Sequence, residues 1–218
     1  MGKIPGQSCL RCLNYNLTMI SIAIQAGGES RRMGQDKALL PFLGETMLDR
    51  VIKRVAPLGD ELLVTTNQPA SFAHFKVQLI KDQLPGTGAL GGLLTALNAA
   101  QFPVVIVVAC DMPFVNADIL AAACDRLHSN QADVVIPLSK EGYEPFHAVY
   151  RRETCLPVIR KALENGERRL ISWFPSVDVV PITENDLVQY DPLRIAFWNV
   201  NTLDELKQAE EFAREHGQ

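Results

Sequence analysis

The stretch Val104-Val-Ile-Val-Val-Ala-Cys110, followed at once by Asp111-Met112-Pro113, decides the architecture. An apolar run of this length without alternation leaves no face for water, so it reads as a strand buried on both sides. Such strands belong to largely parallel sheets with helices packed on each face. Pro113 stiffens the exit and ends the strand, because proline has no N–H to give a ladder.

Outward from this strand the chain alternates between two periods. Strand-like runs rich in β-branched residues fall at 20–25, 61–66, 77–80, 132–137, 145–150, 177–182 and 195–200. Helical stripes lie between them. Met47, Leu48, Val51 and Val55 share one face; Ile119, Leu120, Ala123, Cys124 and Leu127 form a second, opened by Asn116 as a cap. Leu156, Ile159 and Leu163 form a third, closed by Asn165-Gly166. The last helix opens with the capping box Thr202-x-x-Glu205 and continues through Leu203, Leu206 and Ala209. With no long linker or repeat, the pattern predicts one three-layer α/β/α domain over 19–218 with a mostly parallel, mixed sheet. Ligands of such sheets sit outside the carboxyl ends of the strands, so the residues just after each strand carry the functional information.

Composition narrows the classes. The chain has 218 residues, 47% hydrophobic and 21% charged, with a net charge of −4. That is an ordinary globular mixture without the basic field that nucleic acid or an anionic membrane surface requires. No apolar run reaches the roughly 18–20 residues of a membrane helix. Five cysteines without framework spacing fit a reducing cytoplasm. Cys9-x-x-Cys12 lacks a second pair to complete four zinc ligands. The segment 1–18 lacks the basic start and apolar block of a secretory signal and reads as a disordered extension, with Met19 as a natural start.

Three strand ends carry chemistry. After the first strand comes Gln25-Ala26-Gly27-Gly28-Glu29-Ser30-Arg31-Arg32-Met33-Gly34-Gln35-Asp36-Lys37. Small residues let backbone N–H groups approach a phosphate, and Arg31, Arg32 and Lys37 add the charge a triphosphate needs. This is not a P-loop, because Lys37 is preceded by Asp36 and followed by Ala38. Asp111, at the end of the central strand, is poorly solvated unless it meets a cation; Mg²⁺, held by one or two carboxylates plus phosphate oxygens, fits. Asp82 closes another strand ahead of a second glycine loop and reads as a ligand to ribose, metal or acceptor, or as a turn acid. Asn199 and Asn201 end the final run; either amide could complete the metal shell, and Asn201 equally suits a turn before Thr202. Gly86-Thr-Gly88-Ala-Leu-Gly91 matches the dinucleotide fingerprint GxGxxG, but 81–85 separate it from its strand and Pro85 breaks any strand entering it. It reads instead as a loop letting backbone approach a base or ribose, followed by a helix over about 90–100.

Taken together, the 25–44 segment with its AGG, RMG and DKALLPF strings, then LVTTN, Asp82 ahead of PGTGALGG, ACDMPF and WNVNT, resemble the molybdenum cofactor guanylyltransferases. These belong to the nucleotidyltransferases with a sugar-nucleotide-type Rossmann-like fold. Gly27-Gly28 and Asp36-Lys37 are similar to the guanylyl branch; the cytidylyl sibling usually reads AAG and Pro-Lys. The resemblance implies transfer of GMP from GTP to the terminal phosphate of the molybdopterin cofactor, with Mg²⁺ as cofactor. It implies nucleotide contacts from Gln25, Ala26, Gly27, Gly28 and Asp82, with Lys37 and Arg32 on the phosphates and Asp111 on nucleotide and metal. Transient contacts with other cofactor-pathway proteins or recipient enzymes follow from the same resemblance. Gln25 departs from the family's usual Leu, and Thr65 stands where some members carry Asn. His147 reads as a sheet-face residue near the acceptor cleft rather than a catalyst, since a phosphate acceptor is already ionised. Three other readings remain at this point: a CTP- or sugar-phosphate-using enzyme of the same fold, a non-catalytic nucleotide binder, and a dehydrogenase using Gly86–Gly91.

Overall fold

The computed structural model describes residues 19–27, 36–84 and 86–218. The expected disordered extension 1–18, and with it Cys9 and Cys12, lies outside the described residues, as do Gly28, Arg31, Arg32 and Pro85.

In chain order the elements are β1 (Ile20–Gln25), β2 (Pro41–Phe42), β3 (Glu45–Thr46), α1 (Met47–Val55), β4 (Glu61–Thr66), β5 (Gln78–Lys81), α2 (Gly88–Ala99), β6 (Val104–Ala109), α3 (Ala117–Ser129) and β7 (Val134–Ser139). Then follow β8 (Gly142–Tyr143), β9 (His147–Arg151), α4 (Arg152–Glu164), β10 (Val179–Ile182), α5 (Glu184–Leu187) and α6 (Leu203–His216). The main sheet runs β10-β7-β9-β6-β1-β4-β5, with β8 paired to β7 and a separate β2–β3 hairpin. The β5–β4–β1–β6 half is parallel, while β9 runs antiparallel to both β6 and β7. The mixed, mostly parallel sheet is therefore as expected, and β6, the strand read first, is its central member, buried along its whole length.

Alternation along each strand sorts two cores. Ile20, Ile22 and Ile24 of β1 and Val104, Ile106 and Val108 of β6 pack with α1 and α3. Ala23, Val105 and Val107 face the other way, onto α2 and α4. This is the three-layer α/β/α arrangement, dictated by the two-residue strand period. A third cluster seats α6 and the β2–β3 hairpin around Phe114, Ile195 and Val200. Helix ends follow the sequence signals. Asn116 Oδ1 accepts from the N–H groups of Asp118 and Ile119. Thr202 and Glu205 form the capping box of α6, and Gly166 adopts a positive φ after α4.

The run 195–200 is a correction: it contains no strand. The Asp191 carboxylate accepts from the N–H groups of Ile195 and Ala196, and Trp198 N–H turns back to the Ile195 carbonyl. With those donors taken locally, no ladder can form, although Val200 N–H does reach the Asp111 carbonyl. Its β-branched ends, Ile195 and Val200, are buried in the α6 cluster instead.

Candidate functional site

A cavity of about 1130 Å³ opens at the carboxyl ends of β1, β4, β5 and β6. Every site residue expected from the sequence that the structure describes lines it: Gln25, Ala26, Gly27, Lys37, Asp82, Asp111, Asn199 and Asn201. Gly28 and Arg32 lie outside the described residues.

The β1 end is fixed from three sides. Ala26 N–H donates to the Thr65 carbonyl (2.8 Å) and Cys110 N–H to the Gln25 carbonyl (3.0 Å), continuing the β4–β1–β6 pairing past the strands. The Gln25 side chain is buried: its Nε2 donates to the Gly92 carbonyl (2.9 Å) and its Oε1 accepts from the Thr65 hydroxyl (3.0 Å). A single amide thus joins β1, β4 and α2. At Gly27 a Cβ would meet only ordinary contacts, the nearest Asn67 Nδ2 at 3.8 Å. Among the described residues nothing excludes a side chain there.

Lys37 begins a short 3₁₀ turn capped by Asp36, whose carboxylate accepts from Ala38 N–H (3.1 Å). This holds the Lys37 stem over the cavity. Its ammonium donates to Asn201 Oδ1 at 2.7 Å and lies 3.6 Å from Asp111 Oδ2. Asp111 is exposed over only 22% of its side chain. Burial pushes its carboxyl above the usual range, and Lys37 pulls it part of the way back. The exit from β6 is braced from behind by Arg50 of α1, which donates through Nε to the Pro113 carbonyl (2.8 Å) and lies over the Phe42 ring.

Asp82 has a definite local role. Its Oδ1 accepts from Leu84 N–H and from the Thr95 hydroxyl, each at 3.0 Å, tying the second glycine loop to α2. That loop holds Gly86 and Gly88 at φ 85° and 70°, where L side chains are strained. It is not a dinucleotide turn: β5 ends at Lys81 and α2 begins at Gly88, so the strand does not run into the glycines. Asn199 donates from Nδ2 to the Phe197 carbonyl, a turn role, whereas Asn201 is the amide that reaches Lys37.

His147 is fully buried. Its Nε2 donates to the Asn116 carbonyl at 3.3 Å and its ring meets Phe197 edge-on, while Nδ1 has no partner among the described residues. Burial lowers its pKa to about 4. This is a neutral imidazole of the core, and it does not line the cavity. The thiols are equally inert: Cys110, Cys124 and Cys155 are free and buried, and burial pushes the last two up to about 12.

Two features escaped sequence reading. No local sequence signal marks Arg50, and only tertiary contact brings it under Pro113. Glu144 lies just ahead of the run read as strand at 145–150, and it precedes β9 and lines the cavity. The Glu-Pro junction was the available signal, since proline cannot donate to a ladder.

A mostly parallel three-layer sheet, with a carboxylate, a lysine and an amide gathered at its central strand end beside two glycine loops, defines a Rossmann-like nucleotidyltransferase. The profile of the MobA-like NTP transferase domain matches residues 22–179, and the chain belongs to that family. It is 36% identical over 188 residues to the molybdenum cofactor guanylyltransferase of Desulfosudis oleivorans, covering 86% of this chain and 92% of the relative. It is 32% identical over 199 residues to a protein of Natranaerobius thermophilus named probable molybdenum cofactor guanylyltransferase, covering 88% and 96%. The crystal structure of molybdopterin-guanine dinucleotide biosynthesis protein A from Archaeoglobus fulgidus superposes with a TM-score of 0.78 at 26% identity, covering 89% of this chain and 99% of that one. The 2-C-methyl-D-erythritol 4-phosphate cytidylyltransferase of Thermus thermophilus, at 16% identity and a TM-score of 0.64 over 88% and 98% of the two chains, shares the fold. Among the described residues no helix is long and apolar enough to cross a membrane.

Proposed function

We propose that the protein transfers GMP from GTP to the terminal phosphate of the molybdopterin cofactor, releasing pyrophosphate and forming the guanine dinucleotide. The observation that carries this reading is the Lys37 ammonium set between Asp111 and Asn201 at the end of the central strand. A cation position between a carboxylate and an amide oxygen, in a cavity large enough for a nucleotide, suits transfer at a phosphorus atom.

The residues fit a magnesium ion. Asp111 and Asn201 offer hard oxygen donors, and the Asp111 carboxylate is short of solvation, so a divalent cation would relieve it. Among the described residues no group of three or more His, Cys, Asp or Glu converges. That matches a metal shared with substrate phosphates rather than caged by protein. Mg²⁺ bound there would offset the charge of the phosphates and polarise the α-phosphate.

The chain's own residues bind and orient. Ala26, Gly27 and Gly28 offer bare backbone to the nucleotide, and Gly27 supports this because the described residues leave room for a Cβ that a close ligand would not. Gln25 contributes by its backbone, its side chain being committed to Gly92 and Thr65. Lys37 and Arg32 grip the triphosphate, and Asp82 shapes the loop that faces the nucleoside. No protein nucleophile or strong base is required, because an acceptor phosphate is ionised near neutral pH.

Isothermal titration of GTP, CTP and UTP with Mg²⁺ tests the base. GTP should bind tightest, and preferential CTP binding would overturn the guanylyl assignment. Pyrophosphate release with GTP, Mg²⁺ and molybdopterin tests the reaction; absence of release would leave a nucleotide binder.

A further inference from the structure

Gly91 and Gly92 lie inside α2, where glycine gives up more backbone freedom than any other residue. Two in succession call for a packing reason. At Gly91 a Cβ would fall 1.7 Å from the Thr87 hydroxyl oxygen and 3.3 Å from the Leu84 carbonyl. At Gly92 the nearest atom is Gln25 Oε1, at 2.8 Å. The first glycine lets Leu84 and Thr87 close over the helix, and the second lets the Gln25 amide reach it.

Gln25 is the last residue of β1, and its buried side chain is committed at both ends. It hands one N–H to α2, at the Gly92 carbonyl, and takes one O–H from β4, at Thr65. In its turn α2 holds the second glycine loop. The Thr95 hydroxyl donates to Asp82 Oδ1 and accepts from Gln83 N–H (3.3 Å), and Asn98 Nδ2 donates to Gln83 Oε1 (3.2 Å). The start of α2 has no side-chain cap, and Gly88 and Ala89 there line the nucleotide cavity. Hydrogen bonds therefore run from the β1 end, where the first glycine loop begins, through Gln25 to α2 and on to Asp82 across the cavity.

Resting on the nucleotide reading above, we propose that the Gln25 side chain is a positioning residue: it sets the width of the slot between the two glycine loops, into which the nucleoside fits. The inference does not depend on which base is bound. Apolar contacts between α2 and the sheet carry no direction. The amide supplies it, because its two bonds are met together at one setting of α2 against β1 and β4. Water cannot replace a lost partner at a buried amide, so the setting is held firmly.

The test uses the full chain, with GTP affinity titrated in Mg²⁺ and turnover followed by pyrophosphate release. Gln25→Met keeps the length and volume and removes both bonds. It should raise the GTP Kd at least tenfold while kcat at saturating GTP stays within about twofold, since Lys37 and Asp111 are untouched. Thr65→Val should also raise the Kd, but should add less than about twofold in the Gln25→Met background, where the bond is already gone. Gln25→Glu supplies a readout that a merely structural role would not move. A protonated carboxyl donates and accepts as the amide does, whereas a carboxylate only accepts and faces the Gly92 carbonyl. Burial favours the neutral form. The ratio of its GTP Kd to that of the unsubstituted protein should be tenfold or more at about pH 8 and fall to about threefold or less near pH 5.5, while the ratio for Gln25→Met stays flat.

An unchanged GTP Kd in Gln25→Met overturns the proposal, as does a loss confined to kcat. A Gln25→Glu ratio that does not move with pH, or full additivity of Gln25→Met and Thr65→Val, overturns it too. Gln25→Met brings no charge into the core, so its Kd and the cycle with Thr65→Val decide the case even where Gln25→Glu unfolds at high pH. Failure of the unsubstituted protein to bind GTP, CTP or UTP would instead sink the nucleotide reading, and the slot with it.

Discussion

Lys37 meets Asn201 across 164 positions of sequence, and Asp111 joins them. Each residue type was interpretable alone: a lysine after a glycine loop, an acid after a buried strand, an amide near a helix cap. Their meeting gives two predictions at this scale. Lys37→Ala should lower kcat/KM about 30-fold, the equivalent of roughly 2 kcal/mol of lost charged contact in the transition state. Asp111→Asn should abolish pyrophosphate release without lowering Tm, because burial already disfavours the ionised carboxylate. A clear fall in Tm would mean that Asp111 is structural. His147 gives a third. Its pKa is about 4 in the fold, against about 6.5 in an unfolded chain. Between those values the unfolded state binds a proton that the folded state refuses, so stability falls as pH drops from about 6.5 to 4 and this loss is complete below that. The loss is about 3 kcal/mol at most. His147→Gln, which keeps an N–H for the Asn116 carbonyl, should flatten that acid limb in urea titrations across pH; an unaltered slope would place the effect elsewhere.

Elements were legible where local signals agree. β1 and β4 coincide with their sequence boundaries, and all four residues of the Met47, Leu48, Val51, Val55 stripe are buried. The run 195–200 was misread because its β-branched residues carry the strand signal, while the competing acceptor, Asp191, is a side chain that no periodicity reports. The two-residue strands of the β2–β3 hairpin are too short to show a period at all. The cap of α6 connects element to site. Thr202 follows Asn201 directly, and Glu205 accepts from the N–H groups of both. Thr202→Ala should cost about 1 kcal/mol of stability by loss of the cap. It should also weaken GTP binding in Mg²⁺ by several-fold, because Asn201 loses its fixed approach to Lys37. Calorimetry and titration separate the two effects, and unchanged affinity would detach α6 from the site.

At the scale of the whole molecule, the β5–β4–β1–β6 half of the sheet carries the glycine loops, and residues from 139–144 and 184–205 line a second, adjoining cavity. Nucleotide binding should therefore stabilise the fold as a unit. Mg²⁺ and GTP at 100 times Kd should add about 2.7 kcal/mol, roughly 5–10 °C in Tm for a chain of this size. EDTA should remove most of that shift and all turnover while leaving the unliganded Tm alone; a lowered unliganded Tm would reveal a structural metal. The sequence by itself determined the sheet class, the central strand, the helix caps and the residue types at the strand ends, because periodicity, capping and turn chemistry act over a few neighbouring positions. Only the tertiary structure decided that Gln25 spends its side chain on Thr65 and Gly92, that Arg50 braces Pro113, that Glu144 stands between two cavities, and that Asn201 rather than Asn199 reaches Lys37. The physical reason is that each of these rests on contacts between residues far apart in the chain, whose direction is set by how the layers pack and leaves no periodic trace in the sequence.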